Sequence, residues 1–292
     1  MVETRRLVKT GADTYTISLP KDWVKANKLQ KGAVLFVDEQ GNKVSISPSQ
    51  TEEKKQEKIF TINIDDNSTN SVRRQTIAAY MKNYTDFVFT GKTLNKKLND
   101  VRQILNNFLA LEIVEQTDTK LVAKDFLNLQ EFSTPNTLRR MDMLTRGILE
   151  DAKKGKKNQE SLEFRDYEVD KLFFLMSRLT RSILERPTSE KDNVEAHFSW
   201  WMAKNLERIA DTGKEIGLVV EKEDPLYDKI LNYYRECIAS FFKKDAALAD
   251  KLIEQRIELL KECDNVADKK LEYRYKEIVK ASRNIAKIVL DN

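Results

Sequence analysis

The spacing of hydrophobic and polar positions changes twice along the chain and divides it into three regions. In the first region Tyr15, Ile17 and Leu19 alternate with polar residues, as in a half-buried strand. The pattern predicts a strand at 15–19, a helix at 21–27 behind Pro20, and strands at 33–37 and 43–47 around a turn at 38–42. Because this unit is very small, it can bury only a fraction of its surface by itself. We therefore expect a second copy, or a neighbouring domain, to complete its core.

The second region follows a charged, polar linker at 51–57 and has the order β-α-β-α-β-β. The predicted elements are a strand at 60–64, a helix at 69–83, a strand at 87–89, a helix at 94–110 and two strands within 112–123. We interpret residues 58–130 as a small α/β module. It contains no glycine-rich phosphate loop, since its only glycine is Gly91.

From Pro135 onward apolar residues recur with helical spacing, and Pro187 and Pro225 fall where helices should break. Six helices are predicted, at 136–154, 159–185, 192–221, 226–243, 245–263 and 267–290. They form two groups of three, so the third region, 135–292, is expected to be all-helical.

An internal repeat relates the two groups of helices. Residues 206–220 can be laid over residues 275–289 with their apolar positions in phase, and residues 166–172 over 254–260. The repeat predicts two stacked three-helix bundles, one at 135–222 and one at 225–292. The fold class predicted for the whole chain is therefore multidomain α+β, with a small N-terminal β unit at 1–50, the α/β module and a pair of helical bundles.

The first region carries a local excess of positive charge that suits a polyanion. Residues 1–31 contain seven Lys or Arg residues against three acids, whereas the 292-residue chain has a net charge of only +4. This region resembles the swapped-hairpin DNA-binding domains of the AbrB, SpoVT and MazE type. The resemblance depends on the basic first strand, the KTG turn at 9–11, the Leu19-Pro20 end of the second strand and the LQKGAVLFV run at 29–37.

The resemblance implies that two chains interleave into one β-barrel and that basic residues at its first strand and turn contact DNA. By position the candidates are Arg5, Arg6 and Lys9, with Lys21 and Lys25 of the short helix as further candidates. The alternative is that these five residues are solvated surface charges.

Two pairs of carboxylates in the third region lie one helical turn apart. Asp166 and Asp170 are spaced i, i+4, as are Glu207 and Asp211. If their helices are antiparallel, both pairs lie at the same height, ~25 Å from the connecting loop. Four such side chains suit a hard cation or a small cation cluster; the alternative is a solvated or arginine-paired acidic face. Arg208 and Lys214 are expected to point elsewhere.

These segments resemble the first three-helix unit of PhoU-type phosphate-uptake regulators, with LERIAD at 206–211 as the most specific part. The resemblance implies that the four carboxylates bind divalent or trivalent metal ions, with Fe, Mn, Mg, Ca and Zn all left open. The second repeat departs from the pattern, because Lys276 and Lys280 replace Glu207 and Asp211. We expect these lysines to pair with Glu254 and Glu258, so only one metal site is predicted.

Several classes of function are disfavoured. The chain has one histidine, His197, which we expect to be packed on its helix, and two cysteines, Cys237 and Cys263, which we expect to be packing residues in a reducing compartment. The sequence lacks a nucleophile motif, so we expect no enzymatic activity. No apolar run reaches the ~18 residues of a membrane span and no signal-peptide core is evident, so a cytoplasmic protein without membrane insertion is expected.

Together, the two resemblances imply a transcriptional regulator of phosphate uptake. Its expected partners are the promoters of phosphate-uptake genes, a second copy of the chain, and a phosphate transporter subunit. The alternative hypothesis is a signalling adaptor that binds a phosphate transporter or a kinase and uses the barrel only for dimerisation.

Overall fold

The computed structural model of the chain describes residues 4–40, 43–48, 58–155, 159–185, 189–220 and 224–291. The chain divides into two compact units, 1–56 and 57–292. The predicted linker at 51–57 lies outside the described residues.

The first unit consists of two short hairpins and one helix. Strand β1 (Val8–Lys9) pairs with β2 (Tyr15–Thr16), helix α1 spans Lys21–Ala26, and β3 (Phe36–Gln40) pairs with β4 (Lys43–Ser47), both pairs being antiparallel. The predicted turn at 38–42 is wrong in part, because β3 continues through Gln40; residues 41 and 42 lie outside the described residues. Since the two hairpins form separate sheets, the described part of one chain does not close a barrel.

No described residue of this first unit is buried. Large apolar side chains of this unit are exposed to water, including Ile17, just after β2, at 51% and Val37 of β3 at 65% exposure. Strands that alternate apolar and polar residues normally bury their apolar face. In the single chain the apolar face of this unit is exposed to solvent.

The second unit begins with the α/β module, in the predicted order. Its elements are β5 (Ile59–Asn63), α2 (Thr69–Met81), β6 (Asp86–Thr90), α3 (Leu94–Asn106), β7 (Leu111–Gln116) and β8 (Lys120–Asp125). The sheet order is β5-β6-β8-β7, with β5 and β6 parallel and the other neighbours antiparallel. Phe87 and Phe89 of the central strand β6 are fully buried in a core shared with α2 and α3.

The helical region contains α4 (Thr134–Ala152), α5 (Gln159–Leu184), α6 (Glu190–Gly217), α7 (Pro225–Lys243), α8 (Ala246–Cys263) and α9 (Lys269–Asp291). Their starts follow sequence rules. Ser189 and Asp192 form a reciprocal capping box at α6, and the Asp224 side chain caps α7 just before Pro225.

The six helices pack as two groups of three. Helices α4, α5 and α6 contact one another, α7, α8 and α9 do the same, and the two groups meet where α6 packs on α9. One continuous core runs through both groups, with Leu206, Ile209, Ile278 and Ile285 at 0% exposure. The repeat positions that we aligned in the sequence therefore supply the apolar stripes of α6 and α9.

A buried ion pair joins the module to the first helical group. Arg178 of α5 donates to the Asp125 carboxylate of β8 at 2.7 Å and to the Asn83 side chain at 2.9 Å. The guanidinium also lies 4.4 Å from the centre of the Tyr80 ring. Both charged side chains are almost completely buried, at 1% and 0% exposure. The pair therefore depends on the packing of two elements from different parts of the chain.

The environment of the single histidine differs from the packed position that we expected. His197 is exposed on α6, and its ring lies beside those of Phe198 and Trp201, so the prediction of a packed position is wrong. Cys237 and Cys263 are buried free thiols, and burial raises their pKa values to about 12 and about 11. None of the helices in the described segments is long and apolar enough to cross a membrane.

Candidate functional site

The basic residues of the N-terminal unit lie on exposed backbone. Arg5 and Arg6 precede β1, Lys9 ends it, and Lys21 and Lys25 lie on α1; all five side chains are exposed. The hairpin after Lys9 is closed by the Thr10 amide, which donates to the Thr14 carbonyl at 2.9 Å. Exposed cations next to an ordered hairpin can contact phosphate oxygens, and DNA binding by these five residues stays a prediction.

The four carboxylates of the helical region lie close together, on facing sides of α5 and α6. We name Asp166, Asp170, Glu207 and Asp211 the acidic cluster. Each of the other three carboxylates is near enough to Asp170 to raise its pKa by charge repulsion. Asp166 of α5 and Asp211 of α6 also share Lys214 as a hydrogen-bond partner, so the two pairs lie at matching heights on the facing helices, as predicted from the antiparallel arrangement.

A lysine lies inside the acidic cluster. Lys214 is one turn beyond Asp211 on α6, and its ammonium donates to Asp211 Oδ1 at 3.2 Å and, across the helix interface, to Asp166 Oδ2. The expectation that Lys214 points elsewhere is wrong. The physical reason is the helical repeat, since a residue at i+3 shares the face of Asp211 and its stem reaches the opposite helix.

Burial dominates the titration of the two α5 carboxylates. It raises the pKa of Asp170 to about 7, and repulsion from Asp166, Asp211 and Glu207 adds to the shift. Burial also raises the pKa of Asp166, although its bond to Lys214 opposes the increase. For Lys214 burial lowers the pKa, but the hydrogen bonds and negative charges of Asp166 and Asp211 together outweigh burial, and the pKa lies above its ordinary value. The ammonium therefore stays charged at neutral pH.

The arrangement does not fit a metal ion as it stands. Within the described residues, no group of three Asp, Glu, His or Cys side chains is placed to hold a metal. Two cluster members bond Lys214, and a third, Glu207, accepts from Lys204 at 2.8 Å. To bind a metal ion, these carboxylates would have to release the ammonium groups of Lys214 and Lys204. Metal binding by Asp166, Asp170, Glu207 and Asp211 therefore stays a prediction.

The substituted lysines of the second repeat choose other partners than we expected. Lys276 bonds Asp264 and Glu272, and Lys280 lies 3.4 Å from Glu277. The prediction that they pair with Glu254 and Glu258 is wrong. Both lysines instead find acids on α9 itself or in the turn before it, because their stems reach one helical turn more easily than a neighbouring helix.

Two other ionic contacts were not expected from the sequence. Arg208, which we expected to remain apart from the site, bonds Glu277 of α9, and Arg178 bonds Asp125 of the module. The partners are separated by 69 and 53 residues respectively. No local pattern marks such pairs, whereas the i+3 spacing of Asp211 and Lys214 was a usable signal for the lysine in the cluster.

Comparison with known proteins supports one of the two resemblances and not the other. No curated protein and no solved structure matches the chain. Nothing matches the PhoU-type resemblance of the helices, which stays a prediction. Residues 8–54, by contrast, match the family model described as "Antidote-toxin recognition MazE, bacterial antitoxin", which confirms the expected MazE/AbrB-type domain in the N-terminal unit.

Proposed function

We propose that this protein is a DNA-binding transcriptional regulator that acts as a homodimer. The match of residues 8–54 to the MazE antitoxin family carries the proposal. The basic side chains of Arg5, Arg6 and Lys9, exposed at the first hairpin, supply the charge that phosphate contacts require. Lys21 and Lys25 extend the same basic surface onto α1.

The apolar surface of the first unit supports the dimer. Ile17, Val34 and Val37 are 51%, 74% and 65% exposed in the single chain, although they lie in a region patterned for burial. A second copy that interleaves its hairpins would cover them and complete the barrel that one chain leaves open.

We further propose that the helical region is the sensor and that the regulated genes serve phosphate uptake. The support is the PhoU-like LERIAD segment and the arrangement of two three-helix groups that meet through α6 and α9. Phosphate status would reach the protein through a phosphate transporter subunit. The sensor would then change the affinity of the N-terminal dimer for promoter DNA.

The test is a gel-shift titration on promoter fragments of phosphate-uptake genes at two salt concentrations. We expect binding that weakens as salt rises. For each tenfold increase in salt concentration, log K should fall by ~0.9 per phosphate contact. The triple variant Arg5→Ala/Arg6→Ala/Lys9→Ala should bind more weakly and show a smaller salt slope. Lys191→Ala/Lys244→Ala/Lys251→Ala, which removes three exposed cations of the helical region, is the matched control and should bind as the wild type does.

The second candidate function is the signalling adaptor, and the family match also leaves room for an antitoxin-like protein partner. In either case the N-terminal unit would serve dimerisation or protein binding. Absence of DNA binding at low salt, with a transporter, kinase or toxin protein co-purifying with the full chain, would replace the leading proposal.

A further inference from the structure

Lys214 places a positive charge among the carboxylates of the acidic cluster in the first helical group. Its ammonium bonds Asp166 of α5 and Asp211 of α6, so it bridges two helices at the height of the acidic cluster. The lysine side chain is 26% exposed, and the Asp166 side chain is only 10% exposed. A bond between partly buried opposite charges is less screened by solvent than the surface pairs elsewhere on these helices.

The remaining members of the cluster leave little room for a second cation. Glu207 is held by Lys204, whose ammonium also lies 4.9 Å from the centre of the Phe173 ring. A divalent ion prefers several carboxylate oxygens directed at one point. Here the oxygens of Asp166 and Asp211 are directed at a nitrogen that is attached to the same helix as Asp211.

We propose that Lys214 replaces the metal ion in this cluster. Its tethered ammonium links α5 to α6 through Asp166 and Asp211, so that the helical region folds and keeps its acidic cluster together without a metal. The proposal departs from the metal site that the PhoU resemblance implies, and it is independent of DNA binding by the N-terminal unit. A tethered group also has a high effective concentration, in the millimolar range or above, so a free ion has to displace an ammonium that is already in place.

The experiment uses the full-length chain, purified without chelator, and three proteins: wild type, Lys214→Met and Lys204→Met. Methionine keeps most of the length of lysine and removes its charge. Lys204→Met is the matched control, because Lys204 lies on the same helix and pairs with a cluster member, but that carboxylate, Glu207, is on α6 itself, and Lys204 meets α5 only through the Phe173 ring. Metal content is measured by elemental analysis, and thermal unfolding is followed with chelator and with added Mn²⁺.

For the wild type we expect less than one bound metal ion per chain and the same melting temperature with chelator and with Mn²⁺. Lys214→Met should melt roughly 2 to 4 °C lower in chelator and recover when Mn²⁺ is added, because the ion then takes the vacated place. Lys204→Met should respond to Mn²⁺ as the wild type does.

Two outcomes would overturn the proposal. One is a wild-type protein that holds a stoichiometric metal and loses stability in chelator. The other is a folded Lys214→Met protein as stable as the wild type, with or without Mn²⁺. Should Lys214→Met lose its helical circular dichroism, Lys214→Gln takes its place, since glutamine keeps a hydrogen-bond donor without the charge. Gel shifts on the same samples test DNA binding separately.

Discussion

Arg208 of α6 bonds Glu277 of α9, and the two residues occupy the same position in the two sequence repeats. They are 69 residues apart, which is the offset that lays Leu206 over Tyr275. Each helix therefore offers its equivalent residue to the other, as across a two-fold axis.

Neighbouring contacts follow the same symmetry. Asn284 donates to Asn205 at 3.2 Å, and Arg274 donates to Glu215 at 2.9 Å. In the repeat alignment Asn205 is equivalent to Arg274, and Glu215 is equivalent to Asn284, so one contact is the repeat image of the other. The α6–α9 contact thus resembles the interface of a symmetric dimer whose two halves are joined in one chain.

We predict that Arg208→Ala lowers the free energy of unfolding by about 1 kcal/mol, measured by urea denaturation. The Glu277 side chain is only 8% exposed, so it loses a partner where water compensates poorly, although Lys280 remains 3.4 Å away. A double-mutant cycle with Glu277→Ala should show coupling between the two sites. The control is Arg235→Ala, whose pair with Glu150 is exposed on both sides; an equal loss there would show that Arg208 acts only as a surface charge.

A larger effect is expected at the junction of the module and the helices. Arg178→Met leaves the fully buried Asp125 carboxylate without its charged partner, which costs roughly 3 to 5 kcal/mol in comparable buried pairs. Urea unfolding followed by circular dichroism measures the loss. Arg181→Met, one turn along the same helix in an exposed pair with Glu185, should cost less than ~1 kcal/mol. Similar stability of the two variants would mean that the buried pair contributes nothing specific.

Asp170 should make stability fall as pH rises from about 4 to about 7. Its pKa is raised to about 7 in the folded state by burial and by the neighbouring carboxylates, whereas the ordinary value is 3.8. The folded state therefore binds the proton more tightly, and this contribution is complete below the ordinary pKa and lost as pH passes through the folded one.

Urea denaturation at several pH values, in the presence of chelator, measures this dependence. Asp170→Asn should remove a loss of roughly 3 kcal/mol between pH 4 and pH 7. Asp250→Asn on α8, an exposed carboxylate, serves as the control. If the free energy of unfolding depends on pH in the same way for the wild type and for Asp170→Asn, the pKa of Asp170 is not raised in the folded protein.

If the chain forms the proposed dimer, Ile17→Asp should convert it to a monomer, because the substitution places a charge in the apolar surface that a second copy is expected to cover. Light scattering coupled to gel filtration measures the mass. DNA affinity should fall with the dimer, since two linked basic hairpins bind more tightly than one. Ile257→Asp, at a 55% exposed position of α8, should leave the mass unchanged. A dimeric Ile17→Asp protein would show that the hairpins do not form the interface.

The sequence by itself determined the elements and their order. Apolar spacing placed all six long helices within a few residues of their bounds, and Ser189 and Pro225 marked where two of them begin. These features are predictable because periodicity, capping and proline geometry act over a few neighbouring residues. The repeat and the common height of the acidic cluster followed from the same local rules and helix geometry.

Apart from the local i+3 pair of Asp211 and Lys214, tertiary structure decided which charges meet. Lys214 turned into the acidic cluster, Arg208 reached its repeat equivalent Glu277, and Arg178 became buried against Asp125. Such pairs depend on how two packed helices are rotated against each other, and a long side chain on either helix can serve several acids of similar distance. The choice is made by burial and by the neighbouring charges, which exist only once the elements have packed.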